Sequence, residues 1–460
     1  MSRPAAPEAK FVTGSLMRHV TVMALSGAMG LSFTFLVDFL ALWWISQRRI
    51  EAEMAAVGIA GTLQFAIISL GVGMMIGAVV LVSRAIGMGD RARARRIASV
   101  AMVMTLSVQA ALSLIVWFFR HPILMASGAE GTVLEMAERF LTITLPSMLL
   151  ISAAIMAASL LRAAGDAWRS MAVTMTGGLV AVVLDPVLIV WMDLGVEGAG
   201  WSIVIARAVA CGVGFWFLIR THDLLARPLP ADFATFIRPY AAIALPAVAT
   251  QLATPFGNWI LTREIAQYGA GAIAGWGVVM RLMILAFGGI FALSGAIGGI
   301  IGQNYGARRL DRVAEAFVAA LKFCAVYTLC TWALMAALTG PISTSFGLSA
   351  EGQAIVRTFT HWAAGAFIAT GALFVANASF NSLGRPLAST AANWFRDGVM
   401  MFPAALLFSH FLAAGGIVWA NAAANLIAGT LAAWFAWRHI ARLRAATAAN
   451  PVLDPAPAPA

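Results

Sequence analysis

Charged residues are scarce in this chain: Lys, Arg, Asp and Glu make up 11% of its 460 residues, against about 25% in a soluble domain. Apolar residues account for 61% of the sequence, and the mean hydropathy is +0.87. This balance excludes an ordinary soluble globular protein. The apolar runs are long and continuous, which also excludes the short alternating segments of a transmembrane β-barrel. The composition therefore predicts an all-α membrane protein.

Cysteine and histidine are also scarce, and neither type forms a metal-binding or catalytic pattern. The three cysteines, Cys211, Cys324 and Cys330, lie inside apolar runs with no metal-ligand spacing. No HExxH, DxD or Ser/His/Asp spacing is present. We therefore expect no catalytic residues, no metal, no cofactor and no enzyme activity.

Twelve apolar runs are long enough to be predicted as membrane helices. They cover residues 18–45, 54–82, 97–119, 133–160, 172–192, 196–219, 239–262, 271–301, 313–338, 354–382, 388–411 and 414–437. One sizeable polar stretch divides them into two groups of six. The expected organisation is an N-terminal segment 1–17, a first bundle 18–219, a linker 220–239, a second bundle 240–437, and a partly disordered tail 438–460, without regular structure from Ala445.

The net charge of +10 comes from arginines in short clusters between the apolar runs. That distribution is typical of membrane-protein loops and argues against nucleic-acid binding. One set of loops carries most of them, whereas the opposite set has few beyond Arg48 and Arg49. The arginine-rich side is predicted to be cytoplasmic. We expect a multi-pass protein of a bacterial-type inner membrane, with both termini in the cytoplasm, that acts as a monomer.

The two halves of the sequence repeat at a constant offset. Gly87 and Gly306 each follow a similar turn and are 219 residues apart, as are Gly165 and Gly384. An even number of helices in each unit predicts a parallel repeat, with two bundles of like orientation. That architecture is typical of secondary transporters.

Two acidic residues stand alone in apolar runs. Asp38 lies in FTFLVDFL, and Asp185 lies in VAVVLDPVLIV. An ionisable group at membrane depth costs about 2.5–3.5 kcal/mol on insertion scales, so each is a candidate functional residue. If the two carboxylates approach each other, low dielectric and mutual repulsion favour the binding of a proton or another cation. We predict that this pair couples transport to an ion gradient.

The sequence resembles the multidrug and toxic compound extrusion (MATE) family over nearly its whole length. The similar segments are LLRAAGDAWRSM, LDPVLIVWMDLGVEGAGWS, GQNYGARRLDR and NSLGRPLAST. Asp38 and Asp185 match the paired acids of the DinF-like branch. The resemblance implies a secondary active antiporter that exports organic, often cationic compounds across the bilayer in exchange for protons or sodium.

The sequence departs from that family pattern at three positions. A proline common in helix 1 is replaced by the stretch around Gly27. An asparagine one turn before the helix-5 acid is Ala181, and a helix-6 threonine corresponds to Ile203. The resemblance implies that these polar groups help to coordinate sodium, which needs several oxygen ligands. Their loss favours a proton over sodium as the coupling ion.

Other polar residues in the apolar runs are candidates for a second-half or cavity site. Asn258 lies one residue after the repeat equivalent of Asp38. Arg207 is expected to face the bundle interior or to reach the interface. The remaining candidates for the second half are Gln251, Arg281, His361, Asn377, Arg396 and Asp397.

Two alternatives stay open at the level of sequence. A flippase of the same superfamily would move a lipid-linked or polysaccharide precursor. The major facilitator superfamily also has twelve helices in two parallel halves, and its loop after helix 2 resembles GMGDRARARR. The second glycine of that loop motif is absent here, which favours the MATE family.

Overall fold

The protein is described by a computed structural model that covers residues 9–48 and 50–449, and these ranges are almost entirely helical. Within them, ten helices are long and apolar enough to cross a membrane, and an eleventh span is a helix pair bent by 49°. Residues 386–412 are helical as well but contain Arg396 and Asp397, and they supply the twelfth span. The predicted all-α, twelve-helix fold is confirmed.

The membrane helices α1–α12 follow one another with short connections. In chain order they are α1 Leu16–Gln47, α2 Glu51–Gly87, α3 Arg91–Phe118, α4 Gly131–Ala163, α5 Ala167–Trp191, α6 Gly195–Thr221, α7 Pro230–Ala266, α8 Ala270–Ala286 with Gly288–Gly306, α9 Leu310–Ala337, α10 Ala350–His361 with Ala363–Ser382, α11 Pro386–Trp394, Phe395–Met400 and Met401–Leu412, and α12 Gly415–Ala449.

Helix boundaries recur at the offset of 219 residues. The helices Arg91–Phe118 and Leu310–Ala337 differ by 219 at both ends. The short connecting helices Arg120–Ala126 and Thr339–Ser345 do so too. The predicted repeat of two six-helix halves is therefore present in the helix positions as well as in the glycine motifs.

The chain divides into two compact units. The N-terminal unit contains Met29–Val82 and Arg91–Tyr240, and the C-terminal unit contains the residues from Ala241 onward, Ser83–Asp90 and the residues up to Ala28. α1 and α2 thus contribute one part of their length to each unit.

The expected linker and tail differ in part from the observed helices. Residues 220–239 are non-helical only over 222–229, because α7 begins at Pro230. Proline suits the first turn of a helix, where its missing N–H has no partner to lose. α12 continues through the alanine-rich residues 445–449, which favour helix. Residues 1–8, 49 and 450–460 lie outside the described ranges.

The linker that follows α6 is held against α3. Arg95 donates to the carbonyl oxygen of Leu225, at 3.0 Å from Nη2, and Ser99 Oγ donates to the carbonyl oxygen of Ala226 at 2.8 Å. His222 Nε2 lies 2.9 Å from Oδ2 of Asp166, which caps α5. Although burial opposes it, these hydrogen bonds from His222 and Arg169 hold the pKa of Asp166 well below its usual range.

The repeated glycines have a packing reason within the C-terminal unit. A Cβ on Gly87 would lie 2.0 Å from the carbonyl oxygen of Gln303, and one on Gly306 would lie 2.1 Å from that of Arg84. The ends of α2 and α8 therefore cross at a distance that only glycine permits. Arg84 is buried beside this crossing and donates from Nη2 to the carbonyl oxygen of Ser382 at 3.0 Å.

Candidate functional site

The candidate site is built on α1, α5 and α6 of the N-terminal unit. Val37, Ala181 and Ala206, one from each helix, form a buried apolar cluster. A Cβ on Gly178 of α5 would lie 2.6 Å from the ring of Phe33 in α1. Small side chains on α5 thus allow α1 to approach closely, and the polar residues of the site adjoin this contact.

Asp185 is the last residue of the regular α-helical part of α5. It is followed by a π-helical turn, Pro186–Trp191, and such turns frequently occur at functional sites. The side chain is buried, with 2% of the residue exposed. Ser202 Oγ donates to Oδ1 at 2.5 Å, whereas the buried Oδ2 accepts no hydrogen bond from any residue that the structure describes. One carboxylate oxygen is thus available to a ligand.

Asp38 has a different environment from Asp185. Its side chain is exposed, and within the described ranges no residue donates a hydrogen bond to it. It lies close enough to Asp185 for the two negative charges to repel each other, and close enough to Arg207 to be attracted by that positive charge. The two acids that the sequence singles out, 147 residues apart, therefore lie in one electrostatic cluster.

Arg207 of α6 is the charged member of the cluster that the sequence analysis did not assign to the site. It is half-buried, and its guanidinium donates to Ser147 Oγ at 2.7 Å and to Gln64 Oε1 at 2.8 Å. Gln64 Nε2 in turn donates to Thr144 Oγ1 at 2.9 Å. The signal was present in the sequence, since an arginine within a membrane span requires a partner. The sequence could not show that the hydrogen-bond partners of Arg207 lie on α2 and α4.

The Ser202 hydroxyl that donates to Asp185 corrects one step of the sequence interpretation. The resemblance matches the helix-6 threonine of the family to Ile203, which implies the loss of a neutral oxygen. The adjacent Ser202 supplies a hydroxyl to the carboxylate instead. Ala181 is buried in the apolar cluster and offers no side-chain oxygen, as expected for alanine.

An ion-pair network holds the π-helical turn that follows Asp185. Arg48 donates to both carboxylate oxygens of Glu53, at 3.1 and 3.0 Å, and to the carbonyl oxygen of Ile189 at 3.3 Å. It also pairs with Asp193. The loop between α1 and α2 is thereby tied to the end of α5, which helps to fix the position of Asp185.

In the C-terminal unit, Arg396 and Asp397 pair with each other inside a second π-helical turn, Phe395–Met400. Both are buried, and Arg396 Nε lies 2.8 Å from Oδ1 of Asp397. Arg396 also donates to Thr254 Oγ1 at 3.1 Å and to Asn425 Oδ1 at 3.3 Å. This charge pair is satisfied internally, so it resembles a structural pair more than an open ligand site.

The other second-half candidates are not joined to that pair by any hydrogen bond or ion pair in the described ranges. Gln251 and Asn258 are half-buried on α7, and Arg281 is exposed on α8. The buried Oδ1 of Asn377 accepts no hydrogen bond from a described residue. His361 Nδ1 lies 3.2 Å from the carbonyl oxygen of Arg357 at the end of a helix. A second-half site that includes these residues stays a prediction.

Comparison with known proteins identifies the family. The MatE family model matches residues 28–187 and 246–407, one segment in each half and more than half of the chain. The chain therefore belongs to the MatE family. The major facilitator superfamily, our alternative from the sequence, is not the family that matches. Membership of the DinF-like branch stays a prediction.

Relatives and solved structures agree with this assignment. The chain is 25% identical over 446 residues to the FAD transporter of Shewanella oneidensis, covering 95% of this chain and 97% of that protein. It is 22% identical over 416 residues to the multidrug export protein MepA of Staphylococcus aureus, covering 88% and 89%.

Two solved structures have the same fold. A mutant of the Vibrio cholerae MATE transporter VcmN superimposes with a TM-score of 0.88 at 22% identity, over 93% of this chain and 97% of that chain. A MOP superfamily transporter from Pyrococcus furiosus gives a TM-score of 0.88 at 20% identity, over 96% and 100%. The fold of this chain is thus that of MATE transporters.

Proposed function

We propose that this protein is a secondary active multidrug exporter that expels organic cations in exchange for protons. The exporter role is supported by the family and by the similarity to MepA. Proton coupling rests on one observation: Asp185 is buried with one carboxylate oxygen on Ser202 and the other without a partner among the described residues. A buried carboxylate with an unsatisfied oxygen favours the protonated form, because a proton removes its uncompensated charge.

Sodium is the less favoured coupling ion for this site. A sodium ion prefers several oxygen ligands, and Asp185 has one neighbouring hydroxyl, from Ser202. Ala181 adds no oxygen at the adjoining turn. A single proton requires only one acceptor oxygen, which Oδ2 supplies.

In the proposed cycle, the empty and ionised site attracts a cationic substrate from the cytoplasmic side. A proton from the more acidic outer side then takes the place of the substrate and is released inside after the transporter changes conformation. Exchange is obligatory if the conformational change is favourable only when the site is neutralised. Asp38, which is exposed, contacts the substrate, and Asp185, which is buried, holds the proton.

We further propose that the exporter is a monomer of the inner membrane with both termini in the cytoplasm. The excess of arginine in one set of loops supports this orientation. Its expected partners are organic cations and the lipid bilayer, with no cofactor other than the ion gradient.

A second candidate function is the transport of an anionic dinucleotide. It is supported by the similarity to the FAD transporter and by Arg207, whose positive charge could attract a phosphate group. We rank it second because Asp38 and Asp185 lie in the same electrostatic cluster and would repel that phosphate.

The experiment is transport of the fluorescent cation ethidium in proteoliposomes under an imposed pH gradient and, separately, under a sodium gradient. We expect only the pH gradient to drive transport, and we expect Asp38→Asn and Asp185→Asn each to abolish it. Transport driven by sodium alone would refute proton coupling. Inhibition by FAD at concentrations that leave the pH gradient intact would favour the second candidate.

A further inference from the structure

A groove of about 540 Å³ opens between α7 and the start of α11, within the C-terminal unit. Its volume falls in the range of about 300–1,000 Å³ that is typical of ligand sites. Most of the lining is apolar and includes Leu245 of α7 and Leu387 of α11, which are 63% and 71% exposed. Arg385, the residue before α11, is the charged residue of this lining. The groove therefore combines an accessible apolar surface with one positive charge.

Hydrogen bonds between α7 and α11 hold the two walls of the groove together. Thr390 Oγ1 donates to the carbonyl oxygen of Pro246 at 2.8 Å, and Trp394 Nε1 donates to that of Ala249 at 2.9 Å. Pro246 itself lines the groove. The groove is thus formed by helices that are already joined, rather than by a loose gap between them.

The guanidinium group of Arg385 has no partner within the described residues. The residue is exposed, and no described residue forms an ion pair or a hydrogen bond with its side chain. Three neighbouring segments contain no Asp or Glu, namely 241–262 of α7, 383–394 around the start of α11, and 415–449 of α12. The positive charge in the groove is therefore not neutralised by an acid on any of these segments.

The repeat shows that the turn itself does not require this arginine. Arg385 lies 219 residues after Asp166, and each residue follows the glycine of the repeated turn. Asp166 accepts a hydrogen bond from the backbone N–H of Arg169 and thereby caps α5. The side chain of Arg385 makes no such bond at the start of α11. The acid of the first half has a structural role, whereas the arginine of the second half is available to another partner.

The end of α12 adds further positive charge beside the same turn. His439 Nε2 lies 3.4 Å from the carbonyl oxygen of Leu383, two residues before Arg385. Arg438 and Arg442 lie within one turn of His439 on the same helix. This turn belongs to the arginine-rich side, which is predicted to be cytoplasmic, and the cytoplasmic leaflet carries anionic lipids. An anionic group at the membrane surface complements this charge.

We propose that the groove binds an anionic phospholipid. The guanidinium group of Arg385 donates two parallel N–H bonds to the phosphate, a geometry that suits an arginine–phosphate pair. An acyl chain packs against Leu245 and Leu387. The exposed apolar surface beside the cation favours a lipid over a free phosphate ion, which would leave both leucines uncovered. This binding is independent of the coupling ion and of the exported substrate.

The first test uses the wild-type protein and needs no substitution. Native mass spectrometry measures the binding of phosphatidylglycerol and, separately, of phosphatidylcholine to the delipidated protein in detergent. We expect phosphatidylglycerol to bind about fivefold more tightly, because one arginine near anionic lipid contributes about that factor. Equal affinity for the two lipids would overturn the proposal.

Substitution of Arg385 tests the role of its charge. We expect Arg385→Gln to bind phosphatidylglycerol about fivefold more weakly than the wild type and phosphatidylcholine equally well. Arg18→Gln is the matched control, because Arg18 is likewise exposed, lies near the start of α1 and does not line the groove. An unchanged affinity in Arg385→Gln, or equal losses in the two variants, would overturn the pairing of Arg385 with the phosphate.

A larger side chain at Ala242 tests the apolar wall without a change of charge. Ala242 is an exposed lining residue, so a phenyl ring there fills part of the groove. We expect Ala242→Phe to bind both lipids at least about fourfold more weakly, which corresponds to one methylene group withdrawn from apolar contact. Leu252→Phe, at an exposed position of α7 outside the groove, should bind as the wild type does. Wild-type affinity in Ala242→Phe would show that the lipid chain does not occupy this groove.

Competition distinguishes a lipid from a free anion. Inorganic phosphate is added to the wild-type protein with bound phosphatidylglycerol, at an ionic strength matched with sodium chloride. We expect the lipid to stay bound, because phosphate alone makes no contact with the apolar wall. Displacement by phosphate but not by chloride would identify a site for a free anion and would refute the lipid site.

Discussion

Ser202 Oγ donates a hydrogen bond of 2.5 Å to Oδ1 of Asp185, while Oδ2 of the same carboxylate is buried without a partner among the described residues. The two oxygens of one side chain are therefore distinguished by the protein. The first is held by α6, and the second is available to a proton. This asymmetry supports the proposal that Asp185, just before a π-helical turn, carries the coupling proton.

Ser202→Ala should raise the pH at which substrate binding is half-maximal. The hydroxyl stabilises the ionised carboxylate of Asp185, and a hydrogen bond to a charged group contributes about 1.5–3 kcal/mol, equivalent to about one to two pH units. The pH dependence of ethidium binding to purified protein measures the shift. Ser202→Thr retains the hydroxyl and is the control. Superimposable profiles for Ser202→Ala and wild type would show that this bond does not influence the site.

Gly257→Ala should destabilise the C-terminal unit. A Cβ at this position of α7 would lie 2.8 Å from Oδ1 of Asp397, so the buried ion pair must move. Overpacking of this kind costs about 1–3 kcal/mol. The melting temperature in detergent measures the loss. Gly277→Ala is the matched control, because a Cβ there meets nothing within 4 Å. Equal melting temperatures for the two variants would contradict this packing.

Asp397→Asn should be strongly destabilising, because it leaves Arg396 as an uncompensated buried charge. Removing one partner of a buried pair costs about 3–5 kcal/mol. The double variant Arg396→Met/Asp397→Asn removes both charges and should recover much of the stability. Thermal unfolding in detergent compares the three proteins. If Asp397→Asn unfolds at the wild-type temperature, the pair is not a structural element.

Asp166 should stabilise the docked linker in a pH-dependent way. The hydrogen bonds from His222 and Arg169 depress the pKa of Asp166, so its contribution is complete above the ordinary value of about 3.9 and is lost as pH falls through the folded-state pKa. Asp166→Asn should therefore lower the melting temperature at pH 7, with a difference that shrinks below about pH 4. A difference that is the same at pH 7 and pH 3 would contradict this role.

Much of the fold follows from the sequence, because long apolar runs predict membrane helices and glycine motifs at one offset predict the repeat. The acids Asp38 and Asp185 could also be selected, since an isolated charge in an apolar run is rare. Arg207 could not be assigned to them, because the direction of a helical side chain depends on which neighbours pack around it. The assignment of Ser202 or Ile203 to the site is limited in a similar way. Adjacent residues on a helix point about 100° apart, so an error of one residue in matching the sequence to the family assigns the wrong side chain to the site.

In the C-terminal unit, the sequence repeat predicts the positions of the helices but not the positions of the charged side chains. Asn258, one residue after the repeat equivalent of Asp38, is a polar candidate of the C-terminal unit, and that role stays a prediction. A buried acid of that unit, Asp397 on α11, packs against Gly257, the residue 219 positions after Asp38. In the N-terminal unit the pattern is reversed, since Gly178 on α5 packs against α1, and Gly178 lies 219 positions before Asp397. The helix positions therefore repeat, but the acids do not. Asp38 lies on α1, whereas Asp397 lies on α11, which is the repeat equivalent of α5.

The most direct measurement of the central claim is proton release on substrate binding. Purified protein in weakly buffered detergent solution at a pH where Asp185 is protonated is mixed with saturating ethidium, and the released protons are counted with a pH indicator. We predict the release of about one proton for each ethidium bound by the wild type, and of none by Asp185→Asn. Ethidium binding without proton release by the wild type, or the same release by Asp185→Asn, would contradict it.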